Sequence, residues 1–279
     1  HVKFMKQWAI IAPVIQKIVP LLNRVCRSVC LVRMAKVLYW LLVLGLGVGV
    51  FWFVIQSVSP VLSPHEMFRV FLLGGYTGLK VMVLIFLCTL VWVPVGVFIG
   101  LRPRLSRWCQ PGVQFLAAFP ANLIFPLVVY AIVKYNLNGD IWTAPLMVLG
   151  TQWYILFNVI AGAEAMPKQL LNAAGCFGLK GWLWWRRLAI PAIFPYFVTG
   201  TITAAGGAWN ASILAESVSW GDLKVQTTGL GAYITQFYEA GDFHRVLWGT
   251  AVMCFYVLVI NHLLWQPLYH YAEERFQID

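Results

Sequence analysis

Acidic residues are scarce in this chain: 10 aspartates and glutamates stand against 20 lysines and arginines in 279 residues, and charged residues make up only 11%. A soluble domain normally carries about a quarter charged residues, so this composition excludes one. No Gly-x4-Gly-Lys-Ser/Thr pattern occurs, including between Gly175 and Gly181, and the chain is therefore expected to bind no nucleotide itself. His1, His65, His244, His262 and His270 show no His-Glu-x-x-His spacing, which removes the commonest helical zinc site. His262 and His270 read as interfacial or packing residues. Cys26, Cys30, Cys88, Cys109, Cys176 and Cys254 lie in or beside apolar runs or in inner segments, so no disulfide framework is expected. The Cys26-x3-Cys30 pair lacks further ligands nearby and reads as two small residues on one helix face. Carboxylates are almost missing inside the apolar runs, and no inverted repeat is visible. Both absences weigh against the alternatives of a membrane-embedded enzyme or an ion-coupled secondary transporter.

What is present is apolar sequence. Hydrophobic residues make up 61% of the chain and mean hydropathy is +0.76, which places it among all-α polytopic membrane proteins. The net charge of +10 would suit nucleic acid, but the basic residues cluster beside apolar runs, where they set topology instead. Six spans are predicted: Val37–Ile55, Val81–Leu101, Val113–Val133, Ile141–Ala161, Ala192–Leu214 and Val246–Trp265, within a membrane domain of residues 37–270. Residues 1–36 carry seven basic residues and no acidic one. They are expected to stay on the inner side, with residues 21–34 as an interfacial helix and 8–22 ambiguous. Ser63-Pro64-His65-Glu66 resembles a capping box that starts an outer helix feeding the second span. Fifteen basic residues fall in segments that an inside N-terminus would place inside, against four outside (Arg69, Lys134, Lys224, Arg245). This bias puts both termini, the tail 271–279 and the loop 164–190 in the cytoplasm.

That loop contains Asn172 to Pro191, NAAGCFGLKGWLWWRRLAIP. It reads as two short helices: one after Pro167 that ends at Gly178, and one from Lys180 to Leu188, with Pro191 restarting the chain on a new axis. The spacing Ala173-Ala174, three residues, Gly178, nine residues, Leu188, one residue, Ile190-Pro191 resembles the EAA loop of binding-protein-dependent ABC importer permeases. Asn172 stands where that family usually has Glu, and Leu188 and Ile190 exchange the usual Ile and Leu. The likeness runs from about Thr77 to the C-terminus. It is nearest the nitrate, sulfonate and taurine branch, and Ala204–Gly221 with Thr227–Ile234 is similar to the second half of duplicated anion permeases.

The resemblance implies the type I importer permease fold: six transmembrane helices, multi-pass in a bacterial inner membrane, with Asn172, Ala173, Ala174, Gly178, Leu188, Ile190 and Pro191 forming the coupling elbow. It implies a cytoplasmic ABC ATPase dimer that carries ATP and Mg, a periplasmic or lipid-anchored solute-binding protein, and a second permease unit. That unit is either a homodimer partner or the other half of a duplicated chain; a start at His1 instead of methionine would suit a fragment, a processed product or one half of a longer polypeptide. No cofactor on this chain and no nucleic-acid partner are expected.

Several polar residues within the apolar runs are pathway candidates for a small anion such as nitrate, a sulfonate or taurine. The small run Thr199–Ala208 allows close helix approach, and Gly206-Gly207 could break the helix and open backbone groups to a cavity. Just beyond it Trp209, Asn210 and Ser212 offer neutral donors, with Glu216 as a helix-end residue facing outward or lining the path. Asn122, bracketed by Pro120 and Pro126, sits where the third span should kink. Gln152 and Asn158 read either as substrate contacts or as interhelical hydrogen bonds. Lys80, about 33 Å along a helix from Arg102, belongs at the outer rim, where it snorkels or steers an anion. The outer loop 217–245 has room for a short helix around Gly231–Tyr238.

Overall fold

The computed structural model describes residues 29–220 and 223–276. Two compact units divide at Ser57. The first is represented by α1 (Val29–Val58), a single helix of 30 residues, about 45 Å long. The predicted first span lies within it. Residues 29–34, expected to end a separate interfacial helix, are instead the opening turns of α1; the rest of that helix, the ambiguous stretch 8–22 and Cys26 fall outside the described residues.

The second unit begins at the anticipated cap. Ser63 Oγ accepts the Glu66 N–H at 3.2 Å and Pro64 opens α2 (Pro64–Gly100). At 37 residues α2 runs about 56 Å, far beyond a bilayer core of about 30 Å, so the outer helix and the second span are one rod. A break follows. α3 (Pro103–Ala118) and the pair formed by a 3-10 turn (Ala121–Ile124) and α4 (Phe125–Lys134) meet at 75°. Phe119, just before Pro120, is driven to extended backbone at φ −67°, ψ 130° by the proline ring. The kink expected around Asn122 is therefore a sharp corner.

The fourth predicted span is also broken, which its unbroken hydropathy concealed. It comprises α5 (Gly139–Trp142), α6 (Leu146–Leu149) and α7 (Gln152–Glu164), with 44° between the first two together and α7. Pro145 starts α6 and Gly150-Thr151 ends it. Beyond α8 (Lys168–Cys176) come α9 (Gly181–Trp184), a π turn (Trp185–Ala189) and α10 (Ile190–Ala215). These last three form one apolar helix from Gly181 to Ala215, which corrects the expectation that Pro191 turns the chain. In the π turn the Ile190 N–H reaches back to the Trp185 carbonyl. That wider turn opens the helix where the Pro191 ring would otherwise strike a carbonyl of the preceding turn.

The chain then forms a hairpin of β1 (Ser217–Trp220) and β2 (Leu223–Gln226), antiparallel with Val218 opposite Val225 and resting on α4. It ends with α11 (Leu230–Glu239), α12 (Phe243–Ile260), a π turn (Asn261–Trp265) and α13 (Gln266–Phe276). The outer helix predicted around Gly231–Tyr238 is α11. Among the described residues three helices are long and apolar enough to cross a membrane, or five if each bent pair counts as one span.

α10 is the axis of the core. Its buried Ala204, Ala205 and Ala208 let α7 and α2 approach closely, as small residues must where lipid supplies no hydrophobic drive. Gly206-Gly207 does not break the helix: a Cβ on Gly207 would lie 2.5 Å from the Thr151 methyl, so its role there is close packing. A Cβ on Gly100 would lie 2.6 Å from the Ile160 carbonyl, marking the same kind of crossing between α2 and α7.

Candidate functional site

The elbow between α7 and α10 is built on a left-handed turn. Gly178 has φ +64°. The Leu179 N–H reaches the Ala174 carbonyl at 2.9 Å and the Gly178 N–H reaches Gly175 at 3.0 Å, the paired bonds of a Schellman cap. The space around Gly178 is open, so glycine is required by conformation and not by crowding. Gly181, at φ +56°, turns the chain again into α9. Ala174 and Leu188 are buried, Ala173 and Pro191 half-buried, and Asn172 and Ile190 exposed. Leu171, Trp184 and Trp185 pack against the main core and anchor the elbow. Phe177 and Trp182, by contrast, are 83% and 74% exposed, and Leu183 stands beside them at 50%. A rigid turn thus carries an apolar crown in the open, the kind of patch that marks a contact surface.

At the other end of α10 lies a buried charge pair that sequence reading did not assemble. Glu216 has no exposure. Its carboxylate accepts from the Thr77 hydroxyl at 2.9 Å, the Lys80 ammonium at 3.3 Å and the Gly231 N–H at 2.7 Å. It thereby caps the N-terminus of α11, where backbone N–H groups are otherwise unpaired. The Thr77 oxygen in turn accepts the Leu230 N–H at 2.8 Å. Lys80 also donates to the Thr228 carbonyl at 2.6 Å and lies 3.9 Å from Asp140. These contacts tie α2, α5, α10 and α11 together. Glu216 is therefore neither outward-facing nor open to a path, and Lys80, 11% exposed, is neither snorkelling nor free to steer an anion.

A second tie holds the N-terminal ends of α2 and α12. The Arg245 guanidinium grips the Glu66 carboxylate through two hydrogen bonds, 2.7 and 3.1 Å, and also bonds Asp242, while the Tyr233 hydroxyl donates to Glu66 at 3.2 Å. The guanidinium beside it holds the Asp242 carboxyl below the ordinary aspartate value. A lowered pKa means that this tie stabilises the fold above the unfolded value and is lost as pH falls through the folded one. Thermal stability of the detergent-solubilised chain is expected to drop below about pH 4, and Arg245→Leu should flatten that part of the profile. An unchanged profile in the variant would assign the acid loss elsewhere.

The remaining candidates separate into inward and outward groups. Gln152 accepts from the Trp92 indole at 3.0 Å and donates to the Leu149 carbonyl, so it is an interhelical hydrogen bond. Asn158 donates to the Tyr154 carbonyl at 2.8 Å within α7 and also lines a cavity. Trp209 is buried and stacked on Tyr256, centroids 6.4 Å apart, and Ser212 is buried, bonded to the Trp209 carbonyl. Asn122 and Asn210 are exposed. On α10, Asn210 continues a line of exposed small and polar residues: Thr199, Thr203 and Gly206.

Residues 92–265, which include the elbow and α10, match the family model described as the binding-protein-dependent transport system inner membrane component. Among curated proteins, the chain is 26% identical over 221 residues to the bicarbonate transport system permease protein CmpB of Synechocystis sp., covering 79% of this chain and 67% of that one. It is 25% identical over 190 residues to the putative ABC transporter permease protein MJ0413 of Methanocaldococcus jannaschii, covering 68% and 66%. With the nitrate import permease protein NrtB of Leptolyngbya laminosa it shares 24% over 174 residues, covering 62% and 58%. The matched regions thus span about three-fifths to two-thirds of these relatives. A helical chain with several membrane-length helices, a glycine-capped elbow and a family match over most of its length belongs to the inner membrane components of binding-protein-dependent transport systems, the ABC importer permeases.

Proposed function

We propose that this chain is the transmembrane permease subunit of an ATP-driven importer of a small planar oxyanion. The observation that carries the reading is the elbow: a Schellman-capped turn that presents Phe177 and Trp182 to a partner while Ala174 and Leu188 fix its base in the bundle. In this reading α1, the three long helices and the two bent pairs are six spans, with both termini and the elbow in the cytoplasm. A separate ATPase dimer binds ATP and Mg and receives the elbow, and its closure switches the path between inward-facing and outward-facing. A solute-binding protein delivers the anion outside, and a second permease unit completes the path. Thr203, Gly206 and Asn210 on the exposed face of α10 form this unit's wall of that path, joined by Asn122 at the corner after α3.

The substrate class rests on the relatives. Bicarbonate and nitrate, the ions in their names, are both flat, three-oxygen and singly charged, so a path built for either needs neutral donors more than a fixed cation. Lys80, already held by Glu216, supports this, because no free positive charge is offered there. Expression with the cognate ATPase and binding protein, followed by purification and reconstitution, tests the proposal. The ATPase is expected to copurify, and its ATP hydrolysis to rise when binding protein loaded with bicarbonate or nitrate is added outside. Uptake driven by an ion gradient without ATP would point to a secondary transporter and overturn it.

A further inference from the structure

A cavity of about 350 Å3 opens between α7, the first turns of α10 and α13, with Asn158, Tyr196, Thr199, Tyr269 and Glu273 on its walls. Its volume falls in the range of small-ligand sites. Its chemistry is the reverse of an anion site. The Thr199 hydroxyl donates to the Pro195 carbonyl at 3.0 Å, and one Asn158 amide N–H is taken by the Tyr154 carbonyl at 2.8 Å. Each of these two side chains keeps an acceptor oxygen, and Asn158 also keeps one amide N–H. Glu273 adds a carboxylate, which when ionised only accepts, and among the described residues it is the one acidic or basic side chain on the wall. His270 lies 3.9 Å from that carboxylate but is 72% exposed on the outside of the same helix. Tyr196 and Tyr269 add aromatic rings, a residue type whose negative quadrupole attracts cations, and the Tyr269 hydroxyl donates to the Glu273 carboxylate.

We propose that this cavity binds a primary ammonium group, held by the Glu273 carboxylate beside Tyr196 and Tyr269, as a site separate from the anion path. A bare divalent ion fits poorly. It needs several oxygens at about 2.0–2.6 Å, and no cluster of three or more metal-ligating side chains occurs among the described residues. The cavity lies at the elbow end of α10, since Pro195 and Thr199 follow Ile190 within three helical turns. Two sources of the same chemistry reach such a position: the ethanolamine headgroup of a phospholipid and a free amine from solution.

The experiment has an arm for each source. In the first, ethanolamine is titrated into the detergent-purified chain and binding is read as a thermal shift. In the second, nanodiscs containing phosphatidylethanolamine or, at equal surface charge, phosphatidylcholine are compared by native mass spectrometry for retained lipid. Wild type is expected to bind in at least one arm, and Glu273→Gln, which keeps the shape but not the charge, to weaken that binding about tenfold. Glu273→Lys, which supplies its own ammonium, should abolish it with helical content unchanged. Glu273 is 41% exposed, so neither substitution buries a new group. Retained phosphatidylethanolamine that is lost in both variants assigns the lipid source, and an ethanolamine shift without retained lipid assigns the soluble one. Binding in neither arm, equal binding by Glu273→Gln, or an equal shift with uncharged ethylene glycol overturns the site. None of these outcomes depends on ATPase association or anion uptake, so the transport proposal stands or falls separately.

Discussion

Lys80→Met should be among the most destabilising single substitutions in this chain. It leaves the fully buried Glu216 carboxylate with the Thr77 hydroxyl and the α11 backbone amides as its partners among the described residues. Removing one member of a buried ion pair costs about 3–5 kcal/mol in general, because the remaining charge stays desolvated. The other donors around Glu216 place this case nearer about 3 kcal/mol. The control is the double variant Lys80→Met/Glu216→Leu. Replacing both charges removes the orphan, so the double variant is expected to unfold at a higher temperature than Lys80→Met alone. Gly229→Ala probes the same pocket sterically, since its Cβ would lie 2.0 Å from the Glu216 carboxylate oxygen. Detergent thermal unfolding reads all three. If Lys80→Met melts with wild type, or the double variant melts below it, the tie is not what secures α11.

Changing the elbow should instead abolish coupling while leaving the membrane body intact. Gly178→Asp keeps a residue type that tolerates φ near +64° better than most, so the turn can survive, but it places a negative charge against the C-terminal end of α8, where the helix dipole disfavours it. It also introduces a solvated carboxylate beside the exposed Phe177. The companion variant Phe177→Ser/Trp182→Ser removes the crown itself. Buried aromatic anchors at interfaces are worth about 2 kcal/mol or more each, so loss of both predicts a fall in ATPase association of about a thousandfold. Membrane insertion and thermal unfolding should match wild type. Gly178→Ala serves as the conformational control, carrying the positive-φ strain without charge. An ATPase that still copurifies with the double serine variant would mean that the docking surface lies elsewhere.

Local signals were legible in the amino-acid sequence wherever they are local in space. Ser63 capping Glu66, the left-handed Gly178, the break around Pro120 and the small-residue run before Trp209 all depend on neighbours within one or two turns, and each appears in the structure. Lys80 and Glu216 are 136 residues apart. Nothing near either residue announces the other, so each alone resembled an ordinary charge at the end of an apolar run. Hydropathy reports composition and is blind to direction, which is why Ile141–Ala161 looked like one straight span although Pro145 and Gly150 divide it. The hairpin had a signal that went unused, the alternation SVSW and LKVQ around Gly221-Asp222. Pro191 misled in the opposite sense, because a π turn absorbs it.

That π turn sits between the elbow and the core-forming part of a helix about 52 Å long. Any torque applied at Gly181 passes along a shaft with one widened winding, at Trp185–Ala189, before it reaches Ala204 and Ala208 in the packed centre. Slack can be taken up there and, a little further on, at Pro195, whose missing N–H leaves a second loose point in the helix. If the proposed importer drives this helix from the elbow, its strokes would be softened along that stretch, as by a spring washer in a drive train.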